Sequence, residues 1–162
     1  MNDRLSLASS ARSTSGRRVL ALALLTCLLA AALAGVDARA ESVPDFRIIV
    51  NAENPSTALA RDFVIDAFLK RTTRWNDGET LRPVDQRSDS SVRRHFSETI
   101  LQRSVSAVKS YWQQRIFSGR DLPPPELDSD DAVVTYVMKH RGALGYVSGN
   151  AKLDKAKAIL VQ

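Results

Sequence analysis

The sequence has few of the side chains on which most chemical sites depend. Its 162 residues include one cysteine and two histidines, and the cysteine, Cys27, lies in an apolar run near the amino terminus. The chain beyond Ala40 therefore has no cysteine, which excludes disulfides, thiol nucleophiles and thiolate metal sites from it. The histidines, His95 and His140, are far apart in sequence and form no H-x-x-x-H pair. We therefore expect neither a metal ion nor a cofactor.

Sequence motifs for catalysis and nucleotide binding are also missing. The chain contains no G-x-S-x-G motif and no glycine-rich phosphate loop. The acidic run from Asp128 to Asp131 resembles half of a calcium loop without its glycine and distal glutamate, so a charged helix start explains it better. A pairing of Ser90 or Ser91 with His95 has neither an oxyanion hole nor an orienting acid. We expect no enzymatic activity.

The first 40 residues have the three parts of a secretory signal peptide. A polar start with four arginines precedes an uncharged apolar run of 18 residues, Val19 to Val36. Ala38-Arg39-Ala40 then matches the small-x-small cleavage rule. The alternative, an uncleaved anchor, is less favoured because the apolar run reaches only the low end of a membrane span. Arg17-Arg18 leaves twin-arginine export open. We predict cleavage after Ala40 and a periplasmic location.

Residues 41–162 are long enough for one domain of ordinary size. They carry 18 basic and 16 acidic side chains, so most of the +5 net charge of the chain belongs to its first 40 residues. The basic isoelectric point therefore gives no reason to expect nucleic-acid binding. We predict that residues 1–40 are the signal peptide and that residues 41–162 form a single domain.

Strand and helix patterns alternate along this domain. Phe46 to Val50 is a β-branched run between turns, Leu81 to Asp85 reads as a second strand, and Trp75 between them is expected to pack on the domain. The order β-α-β-α-α-α-β-β predicts an α/β fold with a mostly parallel sheet flanked by helices. The predicted helices cover about 58–70, 91–101, 104–114 and 128–141, and the last strands cover 144–147 and 155–161.

The loop over residues 86–91 is the strongest candidate for a binding site. It follows a predicted strand and precedes a helix, the position in which α/β sheets bind ligands. It contains three serines and Arg87, and a helix start adds unpaired backbone N–H groups and the positive end of the helix dipole. These features favour an anion, although serine and aspartate before a helix are also ordinary capping residues.

Several short stretches occur together in a fixed order along the domain. They are Arg47-Ile-Ile-Val-Asn51 with Asn54-Pro55, Ala67-Phe-Leu-Lys70, Arg74-Trp-Asn-Asp-Gly78, Pro83-Val-Asp85, the serine loop, Tyr111-Trp112, Ile116-Phe-Ser-Gly119 and Gly142-Ala-Leu-Gly-Tyr-Val147. In this order and spacing they resemble the phosphate-type periplasmic substrate-binding proteins of ABC transporters. The resemblance implies that the domain corresponds to one lobe of a two-lobed type II periplasmic binding protein.

The resemblance also implies which residues bind the ligand. In the family, a Ser-Gly-Thr-type loop at a helix start donates backbone N–H and hydroxyl groups to the oxyanion, helped by an arginine shortly before it. Ser90 matches the serine, Ser91 replaces the glycine and Val92 replaces the threonine. The arginine position falls on Gln86, with Arg87 beside it. The expected ligand-binding residues are therefore Gln86, Arg87, Ser90, Ser91 and Val92.

Two functions follow as expectations. The first is an exported substrate-binding component that binds phosphate or a similar oxyanion, with the membrane component of an ABC transporter or another envelope protein as partner. The alternative is a degenerate single-lobe interaction module of the cell envelope with no small-molecule ligand. The missing hydroxyl at Val92 and the room for one lobe only motivate it. A single helix start leaves an anion largely in water, where hydrogen bonds to charge are weak, unless a second chain closes the site.

Overall fold

The computed structural model describes residues 45–162. The predicted signal peptide, residues 1–40, lies outside the described residues, and the domain boundary after Ala40 stays a prediction. The elements are, in chain order, β1 (Phe46–Val50), β2 (Ala58–Leu59), α1 (Arg61–Phe68), β3 (Arg82–Pro83), β4 (Asp85–Gln86), α2 (Ser91–Thr99), α3 (Val105–Phe117), β5 (Glu126–Leu127), α4 (Asp130–Lys139), β6 (Ala143–Ser148) and β7 (Lys157–Val161).

The main sheet has five strands in the order β2-β7-β1-β6-β3, and β4 pairs with β5 in a small second sheet. The α/β class is confirmed, but the sheet is mixed rather than mostly parallel. The central strand β1 runs antiparallel to both β6 and β7, whereas β2–β7 and β3–β6 are parallel pairs. The alternation of strands and helices predicts parallel neighbours only where consecutive strands are adjacent. Here the neighbours of β1 come from the far end of the chain.

The two faces of the central strands bury two separate apolar clusters. Because successive side chains of a strand point to opposite faces, Ile48 and Val50 enter one cluster and Ile49 enters the other. The first cluster also receives Phe68 of α1 and Phe96 of α2. The other face is covered by α4 through three valines, Val133, Val134 and Val137. The sheet is therefore flanked by helices, as the sequence predicts.

Serine caps define where three of the helices begin. The hydroxyls of Ser90, Ser104 and Ser129 accept hydrogen bonds from backbone N–H groups three residues later, at 3.2–3.3 Å. Each bond satisfies one of the donors that a helix start leaves unpaired. The predicted cap at Ser104 is confirmed.

The first helix is shorter than its sequence pattern suggests. We expect a helix over about 58–70, but Ala58 and Leu59 form β2 and pair with Leu160 and Val161 of β7. The helix begins only at Arg61. Alanine and leucine favour a helix, but intrinsic helix propensity is a weak preference. The backbone hydrogen bonds that Ala58 and Leu59 form at the edge of the sheet outweigh it.

Trp75 is buried, as the sequence predicts, and ties the loop after α1 to the sheet. Its side chain is 6% exposed, and its indole Nε1 donates a hydrogen bond of 2.9 Å to the carbonyl oxygen of Gly142. The ring therefore packs in the core while its polar atom remains satisfied.

Among residues 45–162, every helix is too short or too polar to cross a lipid bilayer.

Gly145 of β6 packs closely against Val133 of α4 and Val84. A Cβ atom on this residue would lie 2.8 Å from Cγ1 of Val133 and 3.0 Å from Cγ1 of Val84. We predict that Gly145→Ala lowers the free energy of unfolding by about 1–3 kcal/mol, the usual cost of overpacking a core. Urea denaturation followed by circular dichroism measures this change. Thr135→Ala, on the exposed side of α4, is the control, and equal midpoints for the two variants would contradict the prediction.

Candidate functional site

The predicted binding loop joins β4 to α2, and Ser90 is its central polar residue. Ser90 has extended backbone angles (φ −65°, ψ 131°) and caps α2 by accepting from the N–H of Arg93. Its hydroxyl Oγ also donates a hydrogen bond of 2.8 Å to Oε1 of Gln86. The hydroxyl of Ser90 is therefore engaged on both sides within the protein.

Gln86 is buried and joins the loop to two other elements. Its Nε2 donates to Oδ1 of Asp130 at 2.8 Å and to the carbonyl oxygen of Tyr146 at 3.1 Å. Asp130 in turn accepts from the backbone N–H and the hydroxyl of Ser148. The side chain of Gln86 thus connects the start of α2 to α4 and β6, and all of its amide atoms have partners.

Arg87 is directed at carboxylates on the surface. Its Nε and Nη2 atoms donate to the two carboxylate oxygens of Asp89 at 3.1 and 3.0 Å, and Nη1 lies 3.7 Å from Asp128. The hydrogen bonds and charge of Arg87 lower the pKa of Asp89. Arg87 and both carboxylates are largely exposed, so the pairs contribute little to stability.

Ser91 and Val92 form the first turn of α2. Ser91 is exposed, whereas Val92 is 8% exposed and packs in the first apolar cluster. Val92 can therefore offer a ligand only its backbone N–H. The N–H groups of both residues precede the intrahelical hydrogen bonds and lie at the positive end of the helix dipole. Whether the five predicted residues bind a ligand stays a prediction.

The sequence analysis missed a buried charged cluster directly behind the loop. Nη1 of Arg93 lies 2.7 Å from Oδ2 of Asp85, and both side chains are less than 8% exposed. The same nitrogen donates to the carbonyl oxygen of Gln86 and to Oε1 of Glu126, the latter at 3.2 Å. The hydroxyl of Tyr146 donates to Oδ1 of Asp85. The cluster connects β4, α2, β5 and β6.

One signal in the sequence could have revealed this cluster. Arg93 lies three residues before Phe96 and seven before Ile100, so it shares the inward face of α2 with these apolar residues. An arginine at such a position needs a buried partner. Asp85, at the end of an apolar strand pattern, is the acidic residue that fits.

Burial governs the protonation of Asp85. Removal from water raises the pKa of its carboxyl from 3.8 to about 6, although Arg93, the Tyr146 hydroxyl and the backbone N–H of Gln86 all favour the charged form. Burial likewise raises the pKa of Tyr146, and the neighbouring Asp85 adds to the effect. The ion pair with Arg93 therefore only partly offsets the cost of burying the carboxylate.

The described part of the chain offers no grouping of three or more histidine, cysteine, aspartate or glutamate side chains suited to a metal ion. The charged groups behind the loop are instead held by one another. The chemistry available at the loop is therefore hydrogen bonding and charge, with backbone N–H donors at the start of α2.

Comparisons with known proteins place the fold. No family model matches the sequence, and no curated protein matches it. Solved structures do match. An ABC-type phosphate transport receptor from Vibrio cholerae is 19% identical with a TM-score of 0.56, and PstS from Borrelia burgdorferi is 9% identical with a TM-score of 0.57. A possible phosphate binding protein from Planctomyces limnophilus is 16% identical with a TM-score of 0.53.

These matches cover 73–74% of this chain but only 42–47% of the matched chains. The chain thus spans less than half the length of the structures it resembles. At these identities the likeness concerns the fold, and at that level the expected resemblance to phosphate-type substrate-binding proteins of ABC transporters is confirmed.

We predict that Asp85 makes stability depend on pH. The pKa of Asp85 is higher in the folded than in the unfolded chain, so the folded chain binds the proton more tightly. The contribution of this protonation to the free energy of unfolding is complete below about pH 4 and is lost as pH rises through about 6. The loss is on the order of 2–3 kcal/mol. Asp85→Asn cannot titrate, and the difference in unfolding free energy between it and the parent should change across this window.

Urea denaturation between about pH 3 and pH 7, roughly one unit on either side of the titration, measures this difference. Asp62→Asn, an exposed carboxylate on α1, is the control. Tyr146→Phe removes the hydroxyl that donates to Asp85, so it should move the upper end of the window to higher pH. Identical pH profiles for Asp85→Asn and Asp62→Asn would refute the prediction.

Proposed function

We propose that the protein is an exported substrate-binding protein that binds phosphate or a similar oxyanion at the start of α2. The observation that carries the proposal is the first turn of this helix. Ser90 caps it, and the N–H groups of Ser91 and Val92 remain as donors at the positive end of the helix dipole. The fold shared with a phosphate transport receptor and with PstS supports this ligand class.

The donors at this site are backbone groups rather than side chains. The hydroxyl of Ser90 already donates to the amide oxygen of Gln86, and the amide nitrogen of Gln86 donates to Asp130. Arg87 can add its charge only by leaving Asp89 and Asp128, which its exposed position permits. We therefore expect weak binding, with a dissociation constant on the order of millimolar, or about 4 kcal/mol.

The remaining parts of the proposal follow from the same resemblance. Export depends on the predicted signal peptide over residues 1–40, and the periplasm is the expected location. The expected partner is the membrane component of an ABC transporter or another envelope protein. Binding, not catalysis, is the proposed activity, in keeping with the transport-receptor and binding-protein descriptions of the matched structures.

A proline substitution can test whether the backbone N–H of Ser91 binds the anion. Ser91 is the first residue of α2, where proline fits the helix, and Ser90 before it is already extended. We predict that Ser91→Pro abolishes phosphate and sulfate binding, because it removes one N–H donor. Ser91→Ala keeps the N–H and should retain binding.

Isothermal titration of the protein with millimolar phosphate or sulfate distinguishes these variants, and chloride at equal ionic strength controls for screening. Thermal unfolding without ligand checks that both variants fold. Equal binding by Ser91→Pro and Ser91→Ala would refute the site, and absence of binding by the parent protein would refute the function.

An interaction module without a small-molecule ligand is the second candidate function, and one surface favours it. Three large apolar side chains are exposed at the end of α3 and in the loop after it: Ile116 at 47%, Phe117 at 89% and Leu122 at 67%. An ion pair between Arg115 and Asp121 holds the two segments together. We take a second copy of the chain as the occupant, because an exposed apolar patch can pack against the same patch of another copy in a symmetric dimer.

This candidate predicts self-association through Phe117. Sedimentation velocity over a wide concentration range should show dimers of the parent protein and monomers of Phe117→Ser. Leu160→Ser is the matched control. Leu160 is also a large apolar residue, with 70% of its surface exposed, but it lies on β7. A monomeric parent protein, or equal weakening by both substitutions, would contradict the candidate.

A further inference from the structure

A cavity of about 300 Å³ lies between α3 and the proline-rich loop before β5. Its volume is at the lower end of the range for small-molecule sites. None of the five predicted oxyanion-binding residues lines it. The lining residues are Asp85, Ser88, Arg93, Val105, Lys109, Trp112, Gln113, Ile116, Pro123, Pro124 and Glu126.

Helix α3 supplies five of the eleven residues that line the cavity, and four of them share one face. Val105, Lys109, Trp112 and Ile116 follow one another at spacings of three and four residues, so they share a side of the helix. Trp112 and the facing prolines, 123 and 124, give the cavity an apolar wall suited to a hydrocarbon group.

The polar residues that line the cavity include both hydrogen-bond donors and acceptors. Lys109 and Gln113 are one helical turn apart on α3 and provide an ammonium and an amide. Within residues 45–162, Lys109 takes part in none of the ion pairs that the structure shows. It is therefore available to a carboxylate.

Glu126 provides an acceptor. Its side chain is 48% exposed, and only Oε1 accepts from Arg93, which leaves Oε2 for a cation. Asp85 cannot play this part, because its two carboxylate oxygens already accept from Arg93, Tyr146 and the N–H of Gln86.

The cavity thus presents both signs of charge beside an apolar wall. A simple anion would meet Glu126, and a simple cation would meet Lys109, so each would face a like charge in a partly dehydrated site. A ligand with both charges satisfies both residues.

We infer that this cavity is a binding site for a free amino acid with an apolar side chain. The carboxylate of the amino acid accepts hydrogen bonds from Lys109 and Gln113, its ammonium group donates to Glu126, and its side chain packs on Trp112 and the two prolines. Ser88 and Arg93, which flank the predicted oxyanion residues, also line this cavity, but the five oxyanion residues themselves do not, and the assignment does not depend on the oxyanion function.

Titration calorimetry with L-leucine tests the inference. Two analogues remove one charge each, since 4-methylpentanoate lacks the ammonium group and isoamylamine lacks the carboxylate, and glycine lacks the apolar side chain. We expect L-leucine to bind at least about tenfold more tightly than any of the three, which is 1.4 kcal/mol. Equal binding of an analogue, or no binding of leucine at 10 mM, roughly the weak limit of specific sites, would overturn the inference.

Substitutions then locate the site. Lys109→Gln and Glu126→Gln should each weaken leucine binding about tenfold or more, whereas Lys139→Gln, an exposed lysine on α4, should leave it unchanged. Ser91→Pro should also leave leucine binding unchanged, which separates this site from the oxyanion site. Thermal unfolding confirms that each variant folds. Unaltered leucine affinity in Lys109→Gln and Glu126→Gln would place the amino acid elsewhere and overturn the assignment.

Discussion

The buried carboxylate of Asp85 is the constraint on which the loop and its helix depend. Its Oδ2 lies 2.7 Å from Nη1 of Arg93 on α2, and its Oδ1 accepts a hydrogen bond from the hydroxyl of Tyr146 on β6. Phe96, one turn after Arg93, stacks on the ring of Tyr146 with centroids 3.9 Å apart. These contacts hold α2 against the sheet with its first turn directed at the loop. Burying the charge of Asp85 costs free energy, and the raised pKa of its carboxyl reflects this cost.

A second set of hydrogen bonds engages the polar side chains of the loop. Because Ser90 donates to Gln86, and Gln86 donates to Asp130 of α4, these two side chains contribute rigidity rather than free donors. The donors that remain are backbone N–H groups, whose direction is determined by the helix and not by side-chain rotamers. We propose the oxyanion site at the first turn of α2 and the amino-acid site along α3. One site can therefore be lost without the other.

Much of the fold was predictable from the sequence because its signals are local. Strand β1 and the cap at Ser104 each follow from residues within a few positions of one another. The order of the strands in the sheet does not. Whether β1 is flanked by parallel or antiparallel strands depends on how residues 143–161 return to it, and this return involves contacts about a hundred residues apart.

By itself, the sequence determined the α/β class, the capped start of α2 and the presence of a serine loop before it, since hydrophobic spacing and capping chemistry are properties of short segments. Only the tertiary structure decided which of the loop residues face inward. Gln86 and Arg93 are polar, yet both are buried, because Asp85, Asp130 and Tyr146 converge on them from other elements. Such long-range satisfaction of polar groups is absent from local sequence patterns, which do not reveal that the side chains of Ser90 and Gln86 are bonded within the protein.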